Sequence, residues 1–399
     1  MMTIEHDLGP LASWRNSLLL ALLVWLLTWL LYTQTFQTGI RAGDLQSVFD
    51  ASRHLQVGRS VYAAPTGEVR FVYSPLVAFA MRPLAHLPVE EAVHIWFFFC
   101  VLSLLMSVFL FAKAAAIPLH DAAPLGIMLI IAFHYRPTTL DFNHGQFNMP
   151  VLALLCAAYL ADNRNRPFSM ATFIVFAALI KVWALGLLIY LLVRRKPLAF
   201  LWGFALFAGI VALLYAKTTW EHATEFPQAV LRFFSLDLAY GFGNQSILGF
   251  ARVHFGPNPD AQPLLDDPVA LYTVVGAGFL TLMWGFWLAC RKAPTARPDR
   301  VRLIFSLAVV TLLLALPVCE RPYFVLLLPV FWTLLTSDGI PNALRGATVL
   351  AYAIFTLPFS KPAGMPDGLA SLIPSAFFAA AFLLWIVLIA AIRRRPTRV

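Results

Sequence analysis

Few side chains in this 399-residue chain could do chemistry, and the first of them in order is a carboxylate. Asp44 follows Gly43 inside the stretch Arg41 to Leu84, the one long connection in the first half that is not continuously apolar. A carboxylate there can act as a general base, accepting the proton of a hydroxyl nucleophile. It can also do no more than cap the helix that follows, by accepting orphan backbone N–H bonds. The two uses are compatible, because a capping position also sets where the carboxylate points.

Lys181 is the second such group. It stands within the apolar run 167–193, where an ammonium is costly unless it has a partner or a task. It either forms a structural ion pair, snorkels to the interface, or holds an anionic oxygen such as a lipid phosphate. A third set is the polar connection Asp141-Phe142-Asn143-His144-Gly145-Gln146-Phe147-Asn148. Gly145 lets backbone approach a ligand. The amides of Gln146 and Asn148 can hydrogen-bond sugar hydroxyls, and His144 can bind phosphate or relay a proton. An ordinary turn between spans would look similar.

Three further groups complete the candidates. Gly243-Asn244-Gln245-Ser246 is either part of a binding pocket or a helix start capped by Asn244 or Gly243. Glu320 and Arg321 are either a local ion pair or, for Arg321, a phosphate contact. Tyr62, Phe71, Tyr73 and Tyr323 suit an interfacial aromatic belt as well as a sugar platform. Asp50, Arg53 and His54 have the spacing of structural salt links on one helix face.

The elements that must position these groups are membrane helices. Apolar residues make up 60% and charged residues 12% of the chain, far from the composition of a soluble domain. The length accommodates about ten spans of roughly 20 residues. The net charge of +9 gathers at span ends, in Arg194-Arg195-Lys196, Arg291-Lys292 and Arg393-Arg394-Arg395, as cytoplasmic flanks do. That placement argues against a nucleic-acid partner. The four cysteines have no metal or redox spacing and are expected in the core. The first apolar run is expected to be an uncleaved span.

Hydrophobicity predicts spans at about 14–34, 89–113, 122–137, 148–162, 199–215, 268–290, 302–317, 323–337, 345–358 and 370–392. Between the first two lies an outer loop, 35–88. It contains an amphipathic juxtamembrane helix with Leu45, Val48, Phe49 and Leu55 on one face and Gly58 as its stop. Basic residues flank 167–193 on both sides, so the run is expected to enter and leave on one face as a re-entrant pair meeting at Lys181-Val182-Trp183. A single span is the alternative. A second outer connection covers 217–267, and Lys361 sits in another gap. The expectation is one all-α polytopic domain, 1–399, of about 10–12 membrane segments. It places Asp44, Tyr62, Tyr73, His144, Gln146, Asn244, Glu320 and Arg321 on the outer side, with Lys181 reaching them from below. A transporter would place such groups near the midplane in broken helices.

These residues, in this order, resemble glycosyltransferase family 87 of the C superfamily, the polyprenyl-phosphate-mannose-dependent mannosyltransferases. The matching pieces are Gly43-Asp44 with its helix, Gly58-x-x-x-Tyr62, Tyr73-x-Pro75 and Gly145-Gln146-x-Asn148. After them come Lys181, Arg194-Arg195-Lys196, Asn244-Gln245-Ser246, and Tyr323 leading a run that ends in Pro329. The resemblance implies a multispan helical bundle with an outer catalytic loop. It implies a polyprenyl monophosphate sugar donor, often of mannose, a lipid or glycan acceptor, and no nucleotide sugar. It places Asp44 at the position of the general base. Where the family often has a histidine beside the late tyrosine, this chain has Glu320, Arg321 and Pro322.

The expectation is then inverting hexosyl transfer in the bacterial inner membrane, with an extracytoplasmic site serving the cell envelope. Asp44 is the base. Tyr62, Tyr73, His144, Gln146, Asn148, Lys181, Asn244, Gln245, Glu320, Arg321 and Tyr323 bind substrate. One displacement needs one base, and the first loop has no paired acids, so neither metal nor cofactor is expected. Asp266-Asp267 has the look of a helix cap before Pro268. The rivals are a lipid or sugar-lipid transporter without chemistry, and a non-catalytic membrane assembly factor.

Overall fold

A computed structural model describes residues 9–37, 43–62, 71–217, 225–233, 243–257, 263–291, 298–337, 339–357 and 375–394. Lys292, Lys361, Arg395 and parts of the first outer loop, 38–42 and 63–70, lie outside them. Among the described residues every element is helical, apart from one isolated β-bridge. Among the described residues the chain is an all-α bundle with candidate membrane-spanning helices.

The chain begins with α1 (Gly9–Gln37) and α2 (Gly43–Gln56), followed by the short α3 (Pro75–Ala80). Next come α4 (Val89–Ala114), α5 (Ala122–His134), α6 (Arg136–His144), α7 (Asn148–Asn163) and α8 (Pro167–Ile180). A first 3-10 helix, Val182–Leu188, runs into α9 (Ile189–Val193). Then follow α10 (Pro197–Lys217), α11 (Glu225–Phe233), α12 (Ile247–Phe255), α13 (Pro268–Cys290) and α14 (Pro298–Ala315). A second 3-10 helix, Arg321–Leu327, leads into α15 (Leu328–Thr336), before α16 (Asn342–Thr356) and α17 (Ala376–Arg393).

Among the described residues five helices are long and apolar enough to cross a membrane: Arg15–Gln37, Val89–Ala114, Pro197–Ala216, Pro268–Cys290 and Ala376–Arg393. Several others are shorter and equally apolar, among them Ala122–His134 and Pro167–Ile180. Leu22, Trp25, Leu201, Leu280 and Trp284 are exposed, as apolar side chains facing lipid are. The interior is built by α4 against α7, α7 against α8, and α17 against α14 and α16. All four cysteines are free and buried in it.

Two chain reversals organise the centre. Asp162, just ahead of α8, accepts hydrogen bonds from Tyr190 Oη at 2.6 Å and Arg194 Nε at 3.3 Å, beyond the far end of the same run. Gly203 packs against both limbs: a Cβ there would lie 2.8 Å from Leu188 and 3.5 Å from Ala171. The run 167–193 therefore folds back on itself at Lys181. The second reversal is at Glu320. Phe305 of α14 lies 5.6 Å from Tyr159, and Trp332 of α15 lies 5.2 Å from Phe111, which stacks on Tyr159. Both limbs thus return to one level. In each reversal a seven-residue 3-10 helix follows the apex.

Two local expectations are corrected. The polar connection after the third span is not a short loop: its first part is the nine-residue helix α6. Pro137 needs no N–H partner in a first turn, and Gly145 ends the helix in the left-handed conformation at φ 63°. Asp44 stands inside the first turn of α2, after Gly43, not ahead of the helix. The rest of the juxtamembrane helix follows the hydrophobic pattern, with Leu45, Val48 and Phe49 buried and Gly58 past its end at φ 70°.

Candidate active site

The site forms where the two apices meet the turn after α6 and the head of α2. Gln146 joins them. Its amide nitrogen donates to Glu320 Oε2 at 2.7 Å. Its carbonyl oxygen accepts from Asn148 Nδ2 at 2.8 Å and from Lys181 Nζ at 3.4 Å. The amide orientation follows from these partners: turned over, it would face its oxygen to the Glu320 carboxylate and its hydrogens to an ammonium. Asn148 spends its second hydrogen on Asp141 Oδ1 at 2.7 Å.

Lys181 is buried, with 5% of its surface exposed. Its ammonium lies 4.4 Å from the ring centre of Tyr323 and 4.9 Å from that of Tyr73. It also reaches Tyr323 Oη at 3.4 Å. Ring faces and neutral oxygens stabilise an ammonium without consuming its charge. Among the described residues no carboxylate comes within ion-pair distance of it. Asp44, Glu320 and Asp141 all lie within electrostatic range. Trp183 stacks on Tyr323 at 5.7 Å and closes the pocket behind it.

Asp44 is half-buried. Burial pushes its carboxyl up to about 6, and the neighbouring Glu320 adds to that rise. Lys181 and the Gln146 hydrogen bond oppose it. A carboxylate so tuned is mostly ionised at neutral pH and still basic enough to take a proton. Asp141 is fully buried and pushed up to about 7, chiefly by burial. Its Oδ2 has no partner among the described residues, which suits a proton residing there.

The predicted residues fall into three groups. Asp44, Gln146, Asn148, Lys181, Glu320, Tyr73 and Tyr323 come together. Tyr62, Asn244 and Gln245 stand behind them. Tyr62 Oη donates to the Tyr73 carbonyl at 2.8 Å, bracing that ring. Asn244 Nδ2 donates to the Pro317 carbonyl at 2.8 Å, and its Oδ1 accepts from Cys319 N at 3.0 Å. Gln245 N donates to the Cys319 carbonyl at 2.7 Å, and its Oε1 accepts from Phe378 N. These two amides therefore shape the Glu320 apex. Gly249 lets this strap sit close, since a Cβ there would fall 2.2 Å from the Asn244 carbonyl oxygen. The cap of α12 is Ser246, which accepts from Gly249 N at 3.1 Å, not Asn244 or Gly243.

The third group is peripheral. His144 ends α6 exposed, because the left-handed Gly145 turns the chain inward only after it. Arg321 does not pair with Glu320, whose carboxylate is taken by Gln146; it lies instead within electrostatic reach of Arg136. Asp267 caps α13 through Val269 N at 2.8 Å, and Asp50 binds Arg53 at 3.1 Å. Sequence reasoning missed Asp141 as a member of the site. Its signal was the spacing of seven to Asn148 across a helix end.

Residues 71–317 match the model of glycosyltransferase family 87. The stretch includes Tyr73, Gln146, Asn148, Lys181, Asn244 and Gln245; Asp44, Tyr62, Glu320, Arg321 and Tyr323 lie beyond it. No curated protein matches the chain.

Proposed function

The chain belongs to glycosyltransferase family 87 and is a multi-pass membrane glycosyltransferase, and we propose that its donor is a polyprenyl monophosphate hexose, with mannose the first choice. In this reading the acceptor is a lipid or glycan hydroxyl. The reaction occurs on the extracytoplasmic face of the inner membrane, with inversion at the anomeric carbon. Asp44 takes the acceptor's proton as its oxygen attacks. The bond from the anomeric carbon to the phosphate oxygen breaks, and the electron pair leaves on the phosphate. Lys181 stabilises that charge from below, and Arg321 is a second candidate.

One observation carries this reading. The half-buried carboxylate of Asp44 lies within electrostatic range of the Lys181 ammonium, which is buried and which no carboxylate neutralises directly among the described residues. A base and an anion-holding cation in one site are what one displacement on a sugar phosphate requires. An apolar cleft of about 310 Å³ supports the lipid part of the donor. Leu76, Met81, Trp96, Phe99, Phe147 and Ile180 are among its lining residues. Phe147 packs on Tyr73 at 5.0 Å, and Ile180 precedes Lys181, so the cleft abuts the polar site.

The test is Asp44→Asn in membranes supplied with polyprenyl-phosphate mannose and a lipid extract as acceptor. Transfer is expected to fall by at least about 10³-fold, in line with loss of a general base. A folded variant that transfers sugar at the normal rate removes Asp44 from this role.

A further inference from the structure

We infer that the pocket between the ends of α13, α14 and α17 binds one anionic phospholipid, its phosphodiester held by Arg291, Arg300 and Arg393. The pocket measures about 350 Å³, and Leu288 and Ala289 complete its lining. Its three arginines come from three elements. Arg291 caps the end of α13, Arg300 stands in the first turn of α14, and Arg393 closes α17. Trp385 of α17 fixes these helices against one another. A Cβ at Gly285 of α13 would run into its ring, and its Nε1 donates to Thr311 Oγ1 of α14 at 3.1 Å. The pocket is remote from the candidate active site and from Asp44. The whole of α14 separates Arg300 from the Glu320 apex, and its 18 residues span about 27 Å.

Three guanidinium groups repel one another. Among the described residues no acid lines the pocket, and no ion pair holds any of the three. Helix dipoles account for two of them. Arg291 and Arg393 sit at C-terminal ends, where a cation is favoured, and Arg291 also lies 5.9 Å from the centre of the Trp287 ring. Arg300 has no such reason. It stands at a helix N-terminus, where the dipole disfavours a cation, and its Nε is buried without a partner among the described residues. An anion in the pocket answers both facts: it offsets the charge that the helix end opposes, and it accepts from the orphan N–H. The planar fork of guanidinium suits phosphate oxygens. The surroundings make that anion a lipid. Leu280, Trp284, Trp287 and Arg291 recur at helical spacing along α13, and all four are exposed. A lipid-facing apolar stripe thus ends in one of the three arginines. Acyl chains lie along it when the headgroup fills the pocket, as basic pockets between membrane helices hold anionic headgroups. Free phosphate would gain nothing from the stripe.

Native mass spectrometry of the full-length protein in neutral detergent, titrated with phosphatidylglycerol, tests the site. One tightly held phosphatidylglycerol is expected per chain. The triple variant Arg291→Gln/Arg300→Gln/Arg393→Gln should bind it on the order of 10²-fold more weakly, about fivefold for each arginine. Arg164→Gln/Arg166→Gln/Arg195→Gln removes the same charge from exposed positions elsewhere and should leave the affinity unchanged. Phosphatidylcholine, which has no net charge, should be held far less tightly, and millimolar inorganic phosphate should not displace the bound lipid. Equal losses in the two triple variants would reduce the effect to diffuse charge and overturn the inference. Equal retention of phosphatidylcholine, or displacement by inorganic phosphate, also overturns it. Thermal melting checks that each variant is folded. Should the pocket triple variant fail to fold, Arg300→Gln alone must lose about fivefold in affinity, and an unchanged value there overturns the site.

Discussion

The two chain reversals at the centre of this protein have one plan and opposite chemistry. Each descends from its apex through a seven-residue 3-10 helix. One apex carries Lys181 and the other Glu320. They differ in what holds them. Lys181 is enclosed by ring faces, with the Ser74 hydroxyl bound to the Leu179 carbonyl just before it. The Glu320 apex is held through the adjacent Cys319, whose carbonyl accepts from Gln245 N and whose N–H donates to Asn244 Oδ1 in the distant strap. A cation set by packing retains most of its charge for an incoming anion. An acid set by hydrogen bonds has its direction fixed but can be disturbed from far away. The difference suggests a division of labour, with donor binding tied to the first reversal and proton handling to the second.

The strongest way to break this comparison is Lys181→Ala. Losing the buried cation should weaken donor use by roughly 10²-fold, the scale of one strong charge-assisted contact. The measurement is the apparent KM for the polyprenyl-phosphate sugar; an unchanged value refutes the phosphate role. Next in size is the pH dependence. Because the base must be ionised, kcat/KM should fall about tenfold for each pH unit below about 6, the value to which Asp44 is raised. A flat profile between pH 5 and 7 means that another group limits the reaction.

Asn244→Ala sharpens the contrast between the apices. It removes the strap's contacts to Pro317 and Cys319, and should lower kcat several-fold while leaving donor KM nearly unchanged. A rise in donor KM alone would show that the two reversals are not independent. The smallest effect is expected for Asp141→Asn. Asp141 is raised to about 7 in the folded protein, so the folded state favours its protonated form. The wild type therefore loses stability as pH rises from about 4 to 7, and asparagine, which does not titrate, escapes that loss. The variant should be more stable at pH 8, by on the order of 1 kcal/mol, and the gain should vanish toward pH 4 in thermal melts.

Much of this architecture was legible because lipid imposes a simple rule. Apolar runs had to become helices. Gly58 marked a helix end by its freedom at positive φ. Asp44, Lys181 and Gln146 stood out because polar groups are rare in such a chain. Other readings were harder. The function of Asn244 and Gln245 could not be read locally, since an amide that lines a pocket and one that straps a distant turn have the same sequence. Arg321 looked like the partner of Glu320 because it is adjacent, but Glu320 accepts from the distant Gln146 instead.

The amino-acid sequence by itself determined the membrane class, the helical framework, the family and the few side chains able to act, since hydropathy and the scarcity of charge are properties of residues one at a time. Only the tertiary structure decided that one glutamine would bind both Glu320, 174 positions away, and Lys181, 35 positions away, with Asp44 brought within electrostatic range of both. Such a junction depends on how four separate segments pack, and the strength of a charge depends on what that packing buries beside it.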